Sequence, residues 1–197
     1  RRIGQGTLYD IDYVKYKLST IKGNYVICNS LYYHLLINED YRADIDKSMF
    51  ASLATKVLST ELMLESAIDY QQLCGGDGYR IGTKNNIAAY ALLDSRVYTL
   101  FDGNNDLLCQ HLANLVKQKM IDNEFKSFYE FAKTDKYMEQ SLKYLPPLKE
   151  KIGDSIERYS QAEMVIFGRI LSRIYGISRL VERAGRLAGM PGAGLVN

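Results

Sequence analysis

The sequence predicts an all-α protein: an antiparallel four-helix bundle with a C-terminal helical extension. Three observations predict it. Apolar residues recur every three or four positions through most of the 197 residues, which is the period of one helical face. No stretch alternates apolar and polar residues in the way a half-buried strand does. Polar and glycine-rich breaks between the periodic runs are short, and short connections favour antiparallel neighbours. The expected division is a bundle over 1–121 and a helical extension over 122–197.

Each element has its own signal. Ile11, Val14, Leu18, Ile21, Tyr25, Cys28, Tyr32 and Leu35 form a one-sided stripe, so a first helix is expected over about 9–37. Gly23 and Asn24 lie inside it and could kink it. A second helix is expected over about 42–73, with Ile45, Met49, Leu53, Val57, Leu64, Ala67 and Ile68 on its apolar stripe and Phe50, Ala54, Leu58 and Leu62 widening it. A third, over roughly 85–98, would be capped by Thr83 or Asn85 and point Ile87, Ala88, Leu92 and Val97 inward. A fourth would start at Asn104 or Asn105, with Asp106 at the positive end of its dipole and Leu107, Leu108, His111, Leu112, Leu115 and Val116 on its apolar face. Residues 122–145 are rich in Phe, Tyr and Lys. Pro146-Pro147 marks a boundary, since neither donates a helix hydrogen bond. A last helix over about 148–188 carries Ile152, Ile156, Tyr159, Ile166, Ile170, Ile174, Ile177 and Val181, with Glu163 interrupting the stripe. Its other faces bear Arg158, Arg169, Arg173, Arg179, Arg183 and Arg186, expected to be a solvated surface, a subunit contact or a contact with an anionic membrane.

Composition narrows the function classes. With 47% hydrophobic and 24% charged residues the chain has ordinary globular composition, and a net charge of +2 argues against nucleic acid as its main partner. No apolar run reaches 18 residues. Cys28, Cys74 and Cys109 show no CxxC or metal spacing and are expected to be reduced, mostly buried thiols in an intracellular protein. The start, Arg1-Arg2-Ile3-Gly4, lacks Met and a signal-peptide pattern, so the chain is expected to be cut from a longer one. His34 and His111 are expected to be hydrogen-bonded core residues, with no second ligand four positions away. Glu61 and Glu65 lack the Glu-x-x-His partner that a di-iron bundle needs. No metal site is expected.

The stretch most at odds with a plain helix is Gln72-Leu-Cys-Gly-Gly-Asp-Gly-Tyr79. Three glycines in four positions each cost about 1 kcal/mol relative to Ala in a helix, and they leave backbone bare for close approach. Taken alone, this is either a simple helix connection or a contact surface. It is followed by Asp94-Ser-Arg-Val-Tyr-Thr-Leu-Phe-Asp-Gly-Asn-Asn-Asp106. As a pair, the two segments resemble the QxxGGxG(Y/F) and RDxRxxxIYEGT motifs of the C-terminal domain of the acyl-CoA dehydrogenase and acyl-CoA oxidase superfamily. The resemblance covers roughly residues 1–120.

That resemblance implies a C-terminal four-helix bundle from an FAD enzyme that desaturates acyl-CoA thioesters between the alpha and beta carbons. It implies Gln72, Gly75 and Gly76 against the FAD of a neighbouring subunit, with Asn104 and Arg2 as further cofactor contacts. It places the catalytic base at Asp102, where the family has Glu. Asp is one methylene shorter, and proton transfer needs heavy atoms about 2.6–3.2 Å apart. Asp102 is therefore a working base, a re-aimed one, or simply a carboxylate near the helix that starts at Asn104. The chain also departs from the family at Leu93, where an Arg is usual, at Asp12, where a flavin-facing Gln would fall, and in the spacing around Arg2. The implied partners are acyl-CoA, further copies in a homodimer or homotetramer, and an electron-transfer flavoprotein. The implied setting is cytoplasmic, or mitochondrial or peroxisomal in a eukaryote. The 197 residues alone are expected to be inactive, because the family holds most of its flavin in other domains. The rival readings are a non-catalytic helical oligomerisation or interaction module on the same scaffold, and an acyl-CoA oxidase.

Overall fold

The computed structural model describes residues 2–3, 6–37, 45–82, 86–145, 152 and 156–189, with the backbone alone for residues 2, 3 and 45–47. Among the described residues seven α-helices follow one another: α1 (Asp12–Ile37), α2 (Ile45–Cys74), α3 (Ile87–Tyr98), α4 (Asn105–Asp122), α5 (Phe128–Thr134), α6 (Glu139–Leu142) and α7 (Gln161–Ala188). The chain is all-α as expected, apart from a hairpin of two-residue strands. These are β1 (Arg2–Ile3) and β2 (Gly6–Thr7), with Arg2 opposite Thr7. Strands this short leave no alternation in a sequence.

Helix boundaries follow side-chain caps. Asp10 accepts from the backbone N–H of Thr7 at 2.6 Å and from its hydroxyl at 2.9 Å, closing a 3-10 turn over Leu8–Asp10 just before α1. The first helix therefore begins at Asp12 rather than near residue 9, and it runs unbroken through Gly23 and Asn24. Asn86 caps α3 by accepting from the Ala88 N–H at 3.2 Å; the expected caps, Thr83 and Asn85, lie outside the described residues. The largest shift is at the last helix, which starts at Gln161 and not near 148. A capping box stops it there: the Ser160 N–H donates to Glu163 Oε2 at 2.7 Å, and Ser160 Oγ accepts from the Glu163 N–H. The glutamate that breaks the apolar stripe is the partner that starts the helix. Pro146-Pro147 lies outside the described residues.

The core sits between α2, α4 and α7. Phe50, Ala54, Leu58 and Leu62 from α2 meet Leu112, Val116 and Met120 from α4 and Met164, Phe167, Leu171, Ile174 and Tyr175 from α7. The aromatic segment after α4 closes one end: Phe128 stands edge-on to Phe167, and Tyr137 stacks on Phe50. Ile152 and Ile156 are buried in this core too, but from outside the helix to which their spacing had assigned them. Thus α7 packs against α1, α2, α4 and α6, while α3 packs on α2 and on the glycine turn after it.

Two faces differ from expectation. Just before α1 Ile11 is exposed, and along it Leu18, Tyr25 and Tyr32 are exposed; Val14 is buried as expected, but so are Lys17, Asn24, Leu31 and His34. The physical reason is specific pairing: Lys17 bonds Asp69, Asn24 Nδ2 donates to Ser66 Oγ at 3.1 Å, and His34 meets Arg179. On α3, Ala88 is buried but Ile87 and Val97 are exposed. His111 is exposed rather than in the core, whereas His34 is buried. In the arginine set, Arg179 is 5% exposed and belongs to the interior, while Arg169, Arg173 and Arg186 are exposed. No described helix is long and apolar enough to cross a membrane.

Candidate functional site

The glycine stretch forms a single 3-10 turn, Gly75–Tyr79, directly after α2. Gly78 faces inward: a Cβ there would lie 2.6 Å from the Gln71 carbonyl oxygen, so the turn folds back on the end of α2. Gly76 faces outward, with nothing within 4 Å of where its Cβ would be. Gln72, Gly75 and Gly76 are all exposed. Asn86 holds the turn from behind by donating to the carbonyls of Asp77, at 2.6 Å, and Arg80. The backbone at Gly75-Gly76 is therefore bare on its outer side and braced on its inner side. A flat or phosphate-bearing group such as a flavin nucleotide can approach it without meeting a side chain, and in that sense the residues fit the cofactor that the resemblance implies.

The second segment is a tight turn between α3 and α4. The N–H groups of Leu100 and Phe101 both donate to the Val97 carbonyl at 3.0 Å, and the Asn105 N–H donates to the Thr99 carbonyl at 3.1 Å. Asp102 has φ +55° and Gly103 φ +98°. Asp tolerates the left-handed region better than most residues, and Gly enters it without penalty. The Asp102 side chain is exposed. Asn104 is also exposed, but its Oδ1 accepts from the Asp106 N–H at 2.9 Å, which makes it the N-cap of α4.

Beneath this turn lies a polar set that sequence analysis missed. From α2, Lys56 Nζ donates to the Gly103 carbonyl at 2.7 Å and to Asn105 Oδ1 at 2.8 Å. Asn105 Nδ2 donates on to Thr60 Oγ1 at 3.0 Å. Burial pushes the Lys56 ammonium below the ordinary lysine range, and the nearby Asp102 carboxylate pulls the other way. The available signal was Lys56 and Thr60 one turn apart on a helix otherwise apolar around much of its circumference.

Beside the turn opens a cleft of about 400 Å³. Glu61, Glu65, Asp69 and Asp106 bring carboxylates to it, and Arg96 and Arg169 bring guanidinium groups. Arg169, from α7, donates to Asp106 Oδ1 at 2.7 Å and lies 3.6 Å from Glu61. Cys109 is buried nearby, its thiol pushed up to about 11, chiefly by burial and then by Glu61. It is not a thiolate nucleophile near neutral pH. A second, apolar hollow of about 600 Å³ lies along α1 and α2, lined by Ile21, Tyr25, Cys28, Leu62, Met63 and Tyr98 among others.

The candidate residues fall into two groups. Asp102 and Asn104 stand at the C-terminal end of α3, and Gln72, Gly75 and Gly76 pack near its N-terminal end. Twelve helical residues separate them, a span of about 18 Å at 1.5 Å each. One chain does not bring the two groups together. Arg2 is paired through its backbone in β1, and nothing of its side chain is described.

Residues 1–116 match the family model described as Acyl-CoA dehydrogenase, C-terminal domain. No curated protein and no solved structure matches the chain. The matched span is more than half of the 197 residues, and it contains the glycine turn, the Asp102 turn and the Lys56 contacts beneath it. The chain belongs to the acyl-CoA dehydrogenase family, of which it carries the C-terminal domain.

Proposed function

We propose that this chain is the C-terminal part of an FAD-dependent acyl-CoA dehydrogenase-like enzyme, in which Asp102 is the base that removes the alpha proton of an acyl-CoA thioester. The observation that carries this reading is the geometry of the Asp102 turn. An exposed carboxylate, at the position that the motif resemblance gives the base, lies on a left-handed turn braced from below by Lys56. FAD, when bound, supplies the acceptor for the beta hydrogen, which leaves as hydride. Asp102 takes the alpha proton on a carboxylate oxygen, and the C–H electron pair it leaves behind becomes the new carbon–carbon double bond. Gln72, Gly75 and Gly76 serve a cofactor held by a second subunit, in keeping with their distance from Asp102 in a single chain. The exposed apolar side chains along α1 support a homodimer or homotetramer.

The test is made on the complete protein loaded with FAD, following bleaching of the flavin by acyl-CoA. Asp102→Asn should lower the rate by a hundredfold or more, the usual scale for a positioned general base being roughly 10²–10⁴. Asp102→Glu should keep or raise it. Equal rates in wild type, Asn and Glu variants would instead favour a non-catalytic oligomerisation module. The specific observation behind that second reading is the shorter Asp, combined with an apolar α1 surface that suits assembly with or without chemistry. Electron-transfer flavoprotein, as the acceptor of the electrons, and molecular oxygen, as in an oxidase, are separated by supplying each in turn to the reduced protein.

A further inference from the structure

We infer that Lys56 is a positioning residue for Asp102, holding its turn from α2; this rests on the reading of Asp102 as base. Three features of the site lead there. Asp102 and Gly103 both occupy the left-handed region, a conformation that Asp tolerates and Gly enters freely but that needs contacts around it to be held in one geometry. The strongest polar contacts on the turn come from outside it: one ammonium donates to the Gly103 carbonyl at 2.7 Å and to the Asn105 side chain at 2.8 Å. These two acceptors lie one and three residues beyond Asp102, so the grip fixes the Gly103–Asn104 peptide, one residue past the carboxylate. Hydrogen bonds to a charged group are stronger than neutral ones.

The same ammonium also brings charge. It lies close enough for the Asp102 carboxylate to oppose the effect of burial on it. Asn105 passes the restraint to Thr60, tying two turns of α2 to the first residue of α4. Loss of Lys56 frees the turn and lets the carboxylate shift, and a shift of about 1 Å can cost on the order of 100-fold in rate.

Two measurements test this. The first needs no cofactor: amide hydrogen exchange in the full chain, comparing wild type with Lys56→Met. Exchange over 99–105 should speed up roughly tenfold or more, the factor that corresponds to losing one hydrogen bond of about 1.4 kcal/mol, while amides over 62–70 of α2 stay as they were. Unchanged exchange over 99–105, or equal acceleration along α2, overturns the inference. If Lys56→Met does not fold, Lys56→Gln is read by the same criteria. The second measurement uses the complete FAD-loaded protein. Lys56→Met should lower kcat by up to about 100-fold with KM little changed, and adding it to Asp102→Asn should cost nothing more. A full additional loss in the double variant overturns the route through Asp102. If Asp102→Asn alone has no effect, the base assignment fails, and the exchange experiment still decides whether Lys56 holds the turn.

Discussion

Helices α1 and α7 are nearly the same length, 26 and 28 residues, and they touch each other, yet they use their side chains in opposite ways. Along α7 the large apolar groups Met164, Phe167, Leu171, Ile174 and Tyr175 are buried, and most of the arginines face out. Along α1 the outward residues include Tyr13, Tyr16, Leu18, Tyr25 and Tyr32, while Lys17, Asn24 and His34 face in. Each large apolar side chain moved out of water contributes about 1.5–3 kcal/mol. The hydrophobic contribution of α7 is thus realised within the chain, and much of that of α1 is left open. Beside Leu31 in the core and Ile27 and Cys28 packed against it, the α1 contacts are polar and specific: Lys17 with Asp69, Asn24 with Ser66, and Arg183 with Asn29 at 3.0 Å. The contrast teaches that α7 supplies a continuous apolar face to the fold, whereas α1 is seated by a narrower apolar contact, chiefly Leu31, and by matched polar pairs, with much of its apolar surface facing away.

The sharpest way to break this contrast is at the junction of the two helices. Arg179 of α7 donates to Glu182 at 2.6 Å, meets His34 of α1 at 3.2 Å and donates to the Lys136 carbonyl at 3.3 Å. Its guanidinium also lies over the rings of Tyr137 and Tyr175. Removing one member of a buried ionic set leaves the others uncompensated, at a cost of about 3–5 kcal/mol. Arg179→Ala should therefore lose stability of that order by urea denaturation; a loss under about 1 kcal/mol would show that the junction is not what seats α1.

Acid should loosen the same junction. His34 is held at about 4 rather than 6.5, first by burial and then by the charges of Arg179, Arg186 and Lys136, with Glu182 opposing. The folded chain favours neutral imidazole, so the unfolded chain binds more protons between those two values. Stability from this group is full above pH 6.5 and lost as pH falls towards 4, on the order of 3 kcal/mol across the window. Urea midpoints at pH 7 and pH 4.5 should differ less in His34→Gln than in wild type. Equal pH dependence in the two proteins would falsify the assignment to His34.

Gly168 sharpens the other half of the contrast, because it lets α7 approach α4. A Cβ there would fall 2.0 Å from the Cys109 carbonyl oxygen, which is backbone and cannot rotate away. Gly168→Ala should cost about 2 kcal/mol: overpacking of about 1–3 kcal/mol, partly offset by up to about 1 kcal/mol of helix propensity. Thermal melts of Gly168→Ala and of Gly185→Ala provide the comparison, since Gly185 has nothing within 4 Å of its Cβ position and should be neutral or stabilised.

These same residues show what the sequence could and could not disclose. The helical character of α2, α4 and α7 was legible because their apolar residues repeat at helical spacing and end up in one core. The buried face of α1 was placed only in part, with Val14 and Cys28 inward but Leu18, Tyr25 and Tyr32 exposed, because its apolar residues encircle the helix and the choice of inward face rests on Asp69, Ser66 and Arg179, which are distant in sequence. The start of α7 was legible in retrospect, as Ser160-Gln-Ala-Glu163 is a capping box; periodicity through Ile152 and Ile156 outweighed it. At the candidate site, Asp102, Gln72, Gly75 and Gly76 could be picked out by motif. Lys56 could not, because its partners at Gly103 and Asn105 lie 47 and 49 residues away.

The smallest expected effect on stability carries the most information about α1. Tyr25 is 67% exposed and Tyr32 is 62% exposed. Replacing both by Ser should change the unfolding free energy by no more than about 0.5 kcal/mol per site, as for other surface positions. If the outer side of α1 is a subunit contact, the same substitutions should split the assembly, because aromatic side chains at the centre of an interface carry much of its energy. Sedimentation velocity of the complete protein should then show a larger species for wild type and a smaller one for Tyr25→Ser with Tyr32→Ser, at matching far-UV circular dichroism. An assembly that withstands both changes must be held by another face, and a wild type that sediments as a single chain would mean that α1 carries its tyrosines for something other than a second copy.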